Sequence, residues 1–167
     1  MAAGPSGLTR HFWRRLETRM VTAAVVARYI IRFFQEAGDP VSNLKLQKLL
    51  YYCQGWHLAV RGTPLFADRI EAWVHGPVQP GVYGAYKHNR WSAITEDVPE
   101  AVLSDDEKSI VDEVLSVYGA DSGYELERRT HLEPPWLEAR CGIPQDQDSN
   151  ATISIETMRA YFASLKQ

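Results

Sequence analysis

The uninterrupted run from Asn43 to Arg61 constrains this chain more than any other stretch. It contains no proline and is preceded by Ser42, a residue whose hydroxyl suits a helix N-cap. It ends at Gly62, which tolerates the left-handed backbone that stops a helix. At about 100° per residue, Leu46, Leu49, Leu50, Cys53, Trp56, His57 and Val60 fall on one broad arc, while Leu44, Tyr51, Tyr52, Leu58 and Ala59 occupy much of the other side. A helix that is apolar nearly all round must be enclosed by the rest of the fold. Its polar exceptions, Gln47 with Gln54 and Lys45 with Lys48, are expected to form the narrow flanks that meet water.

The elements on either side read as further helices. Thr22 caps a helix running through Ala37, with Val26, Tyr29, Ile30, Phe33 and Phe34 turned inward. Ser104 with Glu107 and Ser122 with Glu125 both have capping-box spacing, and they start helices that end near Gly119 and Thr130. Pro135 suits the first turn of a short helix carrying Trp136 and Leu137. A last amphipathic helix follows Ser154, with Ile155, Met158, Tyr161, Phe162 and Leu165 on one side. Ile70–His75 alternates apolar and polar residues, which predicts a short extended or β segment near 70–75. Gly76–Gly81 is expected to lead into a helix over Val82–Lys87, and the loop from His88 to Pro99 to hang on Trp91. The fold class is therefore mainly α, a compact multi-helix domain around a central buried helix. No internal repeat or inter-domain linker divides it.

Residues 1–19 stand apart. They carry Arg10, Arg14, Arg15 and Arg19 against Glu17 alone, and read as a basic extension, either a short amphipathic helix or a leader before a start at Met20. The whole chain carries a net charge of -3, so the remainder is acidic, which argues against nucleic acid as a partner. With no apolar run long enough to span a bilayer and no secretory leader, and with two cysteines that make no disulfide framework, the expected setting is the reducing cytoplasm, away from membranes.

Reaction chemistry is thinly represented. His57, His75 and His131 lie far apart in sequence, without the paired spacing of zinc ligands, and there is no glycine-rich phosphate loop or nucleophile elbow. No metal or cofactor is expected, and His57 on its apolar arc reads as a hydrogen-bonded core residue. Trp73, His75-Gly76-Pro77, Tyr83, Tyr86, Trp91 and Trp136 remain as a stiff aromatic set. Such residues serve a core first and a protein-binding surface second.

Three spaced blocks carry a family resemblance. Leu44-Lys45-Leu46-Gln47-Lys48-Leu49-Leu50-Tyr51-Tyr52, then Gly62-Thr63-Pro64-Leu65-Phe66, then Glu71-Ala72-Trp73-Val74-His75-Gly76-Pro77-Val78 resemble the consecutive signatures of the Panacea antitoxin domain, the SocA-like and phage-associated GepA-like antitoxins. Thr130-His131 and Pro135-Trp136 resemble a later block, and the likeness covers roughly residues 22–166, so that 20–167 forms one domain. The resemblance implies a non-enzymatic antitoxin of a bacterial or phage toxin-antitoxin system. Such a protein neutralises a cognate toxin by direct contact, and one member also acts as an adaptor to a ClpXP-type protease. The motif positions that become candidates for partner binding are Lys45, Lys48, Tyr52, Trp73, His75, Gly76, Pro77, Tyr83, His131 and Trp136. The competing reading is a small metal-dependent or nucleotide-acting enzyme using His75 and His131.

Overall fold

The computed structural model describes residues 20–166; the expectations for the basic segment 1–19 lie outside the described residues. Among the described residues, six α-helices and one two-stranded hairpin are arranged about the central helix. In chain order they are α1 (Ala23–Glu36), α2 (Asn43–Arg61), β1 (Glu71–Trp73), β2 (Gly76–Val78), α3 (Pro80–Tyr86), α4 (Asp105–Tyr118), α5 (Gly123–Thr130), α6 (Pro134–Ala139) and α7 (Ile155–Ser164). A single 3-10 turn, Lys87–Asn89, follows α3. The boundaries sit where short-range hydrogen bonds place them. The hydroxyls of Thr22, Ser42 and Ser154 each accept a backbone N–H from three residues on, and both capping boxes are complete. Gly62 ends α2 at φ 78°.

Helix α2 is buried along most of its length and is flanked by α1, α4, α5 and α7 as well as by the hairpin. Its wet flanks are not wet. Gln47, Lys48 and Gln54 are buried, and each satisfies backbone of a segment packed against the helix. The Gln54 amide accepts from Leu65 N (2.8 Å) and donates to Phe66 O (2.8 Å), closing the loop after α2. Gln47 accepts from Gln79 N (2.9 Å) at the start of α3, and Lys48 donates to Pro77 O (3.0 Å) in β2. Lys45 is half-buried, its ammonium on Gly119 O (2.6 Å) and over the Phe34 ring. His57 is the expected core histidine, its Nδ1 donating to Thr63 O at 2.6 Å. Gln47, Lys48 and Gln54 in this way replace water as the partners of buried peptide groups.

Other expectations were too generous at element edges. Val60, on the last turn of α2, is exposed, as is Phe33. Trp91 does not anchor its loop: it is 71% exposed, and Ile94 (0%) and Val98 (8%) take that role. Gln35 and Arg32 of α1 hold the same loop by donating to Ile94 O and Val98 O. The extended segment is a true strand over Glu71–Trp73. Its partner is the Gly76–Val78 stretch, which was expected only to introduce a helix; the antiparallel register sets Trp73 opposite Gly76. The other edge of β1 is covered by residues 151–153, through Ala72 N to Ala151 O and Ile153 N to Ile70 O.

Candidate functional site

The hairpin turn is the point at which most of the sequence-predicted site residues meet. Gly76 has φ 102°, a conformation that side chains rarely adopt. A Cβ there would lie 2.7 Å from Lys48 Cε and 2.8 Å from Thr130 Oγ1. Glycine is thus required twice, for the backbone angle and for the close approach of β2 to α2 and α5. Lys48 is fully buried beneath it, and desolvation pushes its pKa down to about 7, opposed by the nearby Glu127 carboxylate.

Glu127 of α5 also collects both histidines of the rival reading. His75 Nδ1 donates to Glu127 Oε1 at 2.9 Å, and His131 Nε2 lies 4.0 Å from the same oxygen. The His131 Nε2 proton is already directed at Val74 O, 2.9 Å away, which sets its tautomer. Burial holds the His131 pKa below the usual histidine range. Behind it the Trp136 indole stacks on the imidazole (centroids 4.3 Å apart) and donates Nε1–H to Trp73 O (2.8 Å). His131 and Trp136 therefore brace the entry to the turn, at the adjacent carbonyls of Val74 and Trp73. Among the described residues no group of three His, Cys, Asp or Glu side chains is placed to hold a metal ion.

On its outer side the hairpin forms the floor of a cleft of about 900 Å³. Trp73, Tyr83 and Trp91 supply aromatic walls. Trp73 meets Tyr83 edge to face at 5.0 Å, and His75 meets Trp91 in the same way at 5.6 Å. Trp73 is oriented by its indole N–H, which donates to the buried carboxylate of Glu71, two residues earlier on the same face of β1. Lys87 and Arg90 line the cleft from the turn after α3, and Asp146 and Asp148 from the loop after α6.

Of the ten residues singled out from sequence, Lys48, Trp73, His75 and Tyr83 line this cleft. Gly76, Pro77, His131 and Trp136 support its floor. Lys45 and Tyr52 do not line it. Tyr52 is buried in an aromatic cluster, stacked on Tyr118 at 4.0 Å and donating its hydroxyl to Glu133 at 2.5 Å. Burial raises the pKa of both Tyr52 and Glu133. Sequence reasoning missed Glu127, Lys87, Arg90 and the two aspartates, which have no motif spacing to mark them; Trp91 stood out only as an aromatic.

Lys48 carries a measurable signature. Its folded pKa lies below its unfolded value, so between pH 7 and about 10 the unfolded chain binds more protons, and stability rises with pH. The Lys48 contribution to the unfolding free energy is expected to increase by about 3 kcal/mol between pH 7 and 9.5. Lys48→Met removes that rise. Urea titrations at both pH values check it, and equal slopes for the two proteins would remove Lys48 as the cause.

A family model described as "Antitoxin SocA-like, Panacea domain" matches residues 46–137, more than half of the chain. That span runs from α2 into α6 and includes the hairpin, Glu127, Lys87, Arg90 and all three aromatic walls of the cleft, but not Asp146 and Asp148. Antitoxin SocA of Caulobacter vibrioides (strain NA1000 / CB15N) is 40% identical over 73 residues, which are 44% of this chain and 39% of that protein. The chain is thus matched to well under half the length of this relative. No solved structure matches it. The three consecutive blocks that suggested the resemblance lie on α2, the loop after it and the hairpin, where Gln54 ties the loop and Lys48 the hairpin to the helix, and the chain belongs to the SocA-like antitoxin family that carries the Panacea domain.

Proposed function

We propose that this protein is an antitoxin that neutralises a cognate toxin by binding it directly, with the aromatic cleft above the hairpin as the contact site. The family match over residues 46–137 carries the antitoxin reading. The cleft supports the contact site, because exposed tryptophan and tyrosine set in a concavity are the residue types that dominate protein-binding energy. The enzymatic alternative draws on the meeting of His75 and His131 at Glu127. The same geometry weakens it, since the His131 nitrogen nearest the carboxylate is already bonded to Val74 O.

The test is co-expression with the product of each flanking open reading frame. One such product is expected to arrest growth alone, to be tolerated with this chain, and to co-purify with it. Unrelieved toxicity for every small neighbouring gene would end the antitoxin reading. Metal bound in stoichiometric amount to the purified chain would revive the enzymatic one.

A further inference from the structure

We propose that the cleft receives a short segment of the partner carrying an acidic and a basic side chain about an apolar one; this rests on the antitoxin reading for the identity of the partner. Two charged rims of opposite sign enter the cleft from separate segments. Lys87 and Arg90 form the basic rim, and among the described residues neither takes part in an ion pair. The Glu96 carboxylate, farther along the loop, is engaged instead by the turn's own His88 (2.7 Å) and Asn89 (2.7 Å), which pins the turn. Arg90 sits at φ 54°, an unusual angle for a side-chain-bearing residue, and the pinned turn holds it there.

The acidic rim is held as firmly. Arg140, 1% exposed, donates to Ala72 O (3.0 Å), Pro144 O (2.8 Å) and Gln147 O (2.5 Å). These bonds fasten the loop bearing Asp146 and Asp148 to β1. Neither aspartate makes an ion pair among the described residues, and the two rims do not neutralise one another although they line the same cleft.

A ligand that fills the space must meet both signs, with Trp73, Tyr83 and Trp91 receiving the apolar group between them. A nucleic acid strand satisfies the basic rim only and is repelled by the aspartates. The volume, about 900 Å³, lies near the top of the range of about 300–1,000 Å³ typical of ligand pockets. It suits a few residues of peptide rather than a whole protein face.

The experiment uses the toxin identified by co-expression, the full chain, and overlapping synthetic peptides of that toxin. Lys87→Glu with Arg90→Glu, and separately Asp146→Lys with Asp148→Lys, are each expected to weaken binding at least about tenfold at low salt, less at high salt. Trp91→Ala is expected to weaken it by roughly thirtyfold. All these residues are exposed, so unchanged thermal unfolding confirms that the variants fold. At least one peptide with an acid, an apolar residue and a base is expected to bind the wild type and to lose affinity for both rim variants. Tighter binding to either rim variant, or no change, overturns the two-signed ligand while leaving the antitoxin reading intact. Tighter binding to the aspartate variant with competition by single-stranded DNA assigns the cleft to a polyanion. Failure of any flanking product to bind the wild type removes both readings.

Discussion

Gly55→Ala is expected to destabilise the protein by about 3 kcal/mol, the reverse of the gain of up to about 1 kcal/mol that alanine usually brings to a helix interior. Gly55 lies in the middle of α2, where α7 crosses closest. A Cβ there would sit 2.5 Å from Phe162 Cζ and nearer still to Cε2 and Cδ2. The ring has no room to turn. It is fully buried, with the rings of Tyr51, Trp56 and Tyr161 at centroid distances of 5.5, 5.5 and 5.1 Å. The helices must therefore separate, which breaks the most extensive packing that α2 makes. Urea unfolding measures the loss, and for a chain of this size the melting temperature should fall by roughly 10 °C. Gly55→Ala combined with Phe162→Leu should recover part of it, because the smaller side chain leaves space for the methyl. A Gly55→Ala protein as stable as the wild type would show that α7 does not lie where the glycine permits it.

Trp136→Ala is expected to cost about 3–5 kcal/mol. The indole is 1% exposed, lies between the His131 ring and the Arg140 guanidinium (4.6 Å), and bonds the Trp73 carbonyl. Removing it opens a cavity and takes away the indole donor to Trp73 O. It also frees the strand residue whose own indole lines the cleft, so affinity for the proposed toxin partner should fall with stability. Trp136→Phe separates the two effects. It keeps most of the apolar area but loses the N–H, and is expected to cost about 1–2 kcal/mol, mainly for the lost hydrogen bond to Trp73 O. Thermal unfolding of both variants, read beside toxin binding, tests the claim. Wild-type stability in Trp136→Ala would mean that the hairpin does not depend on this brace.

Both effects arise where chain segments far apart in sequence touch, and this is where reading from sequence alone stops. The helix starts at Thr22, Ser42, Ser104, Ser122 and Ser154, the stop at Gly62 and the enclosed character of α2 were all legible beforehand. A cap is a hydrogen bond between residues three apart, and an all-round apolar helix has nowhere to go but inside. Tertiary structure alone decided the rest. Gln54, Gln47 and Lys48 look solvent-facing by type and spacing. They are buried because Leu65, Gln79 and Pro77 arrive with unpaired backbone groups that only a polar side chain can satisfy. Trp91, Arg90 and Asp148 become neighbours across a cleft only once Glu96 has pinned one turn and Arg140 the other. A charge or a ring acquires a role from what stands opposite it, and no spacing along the chain records that.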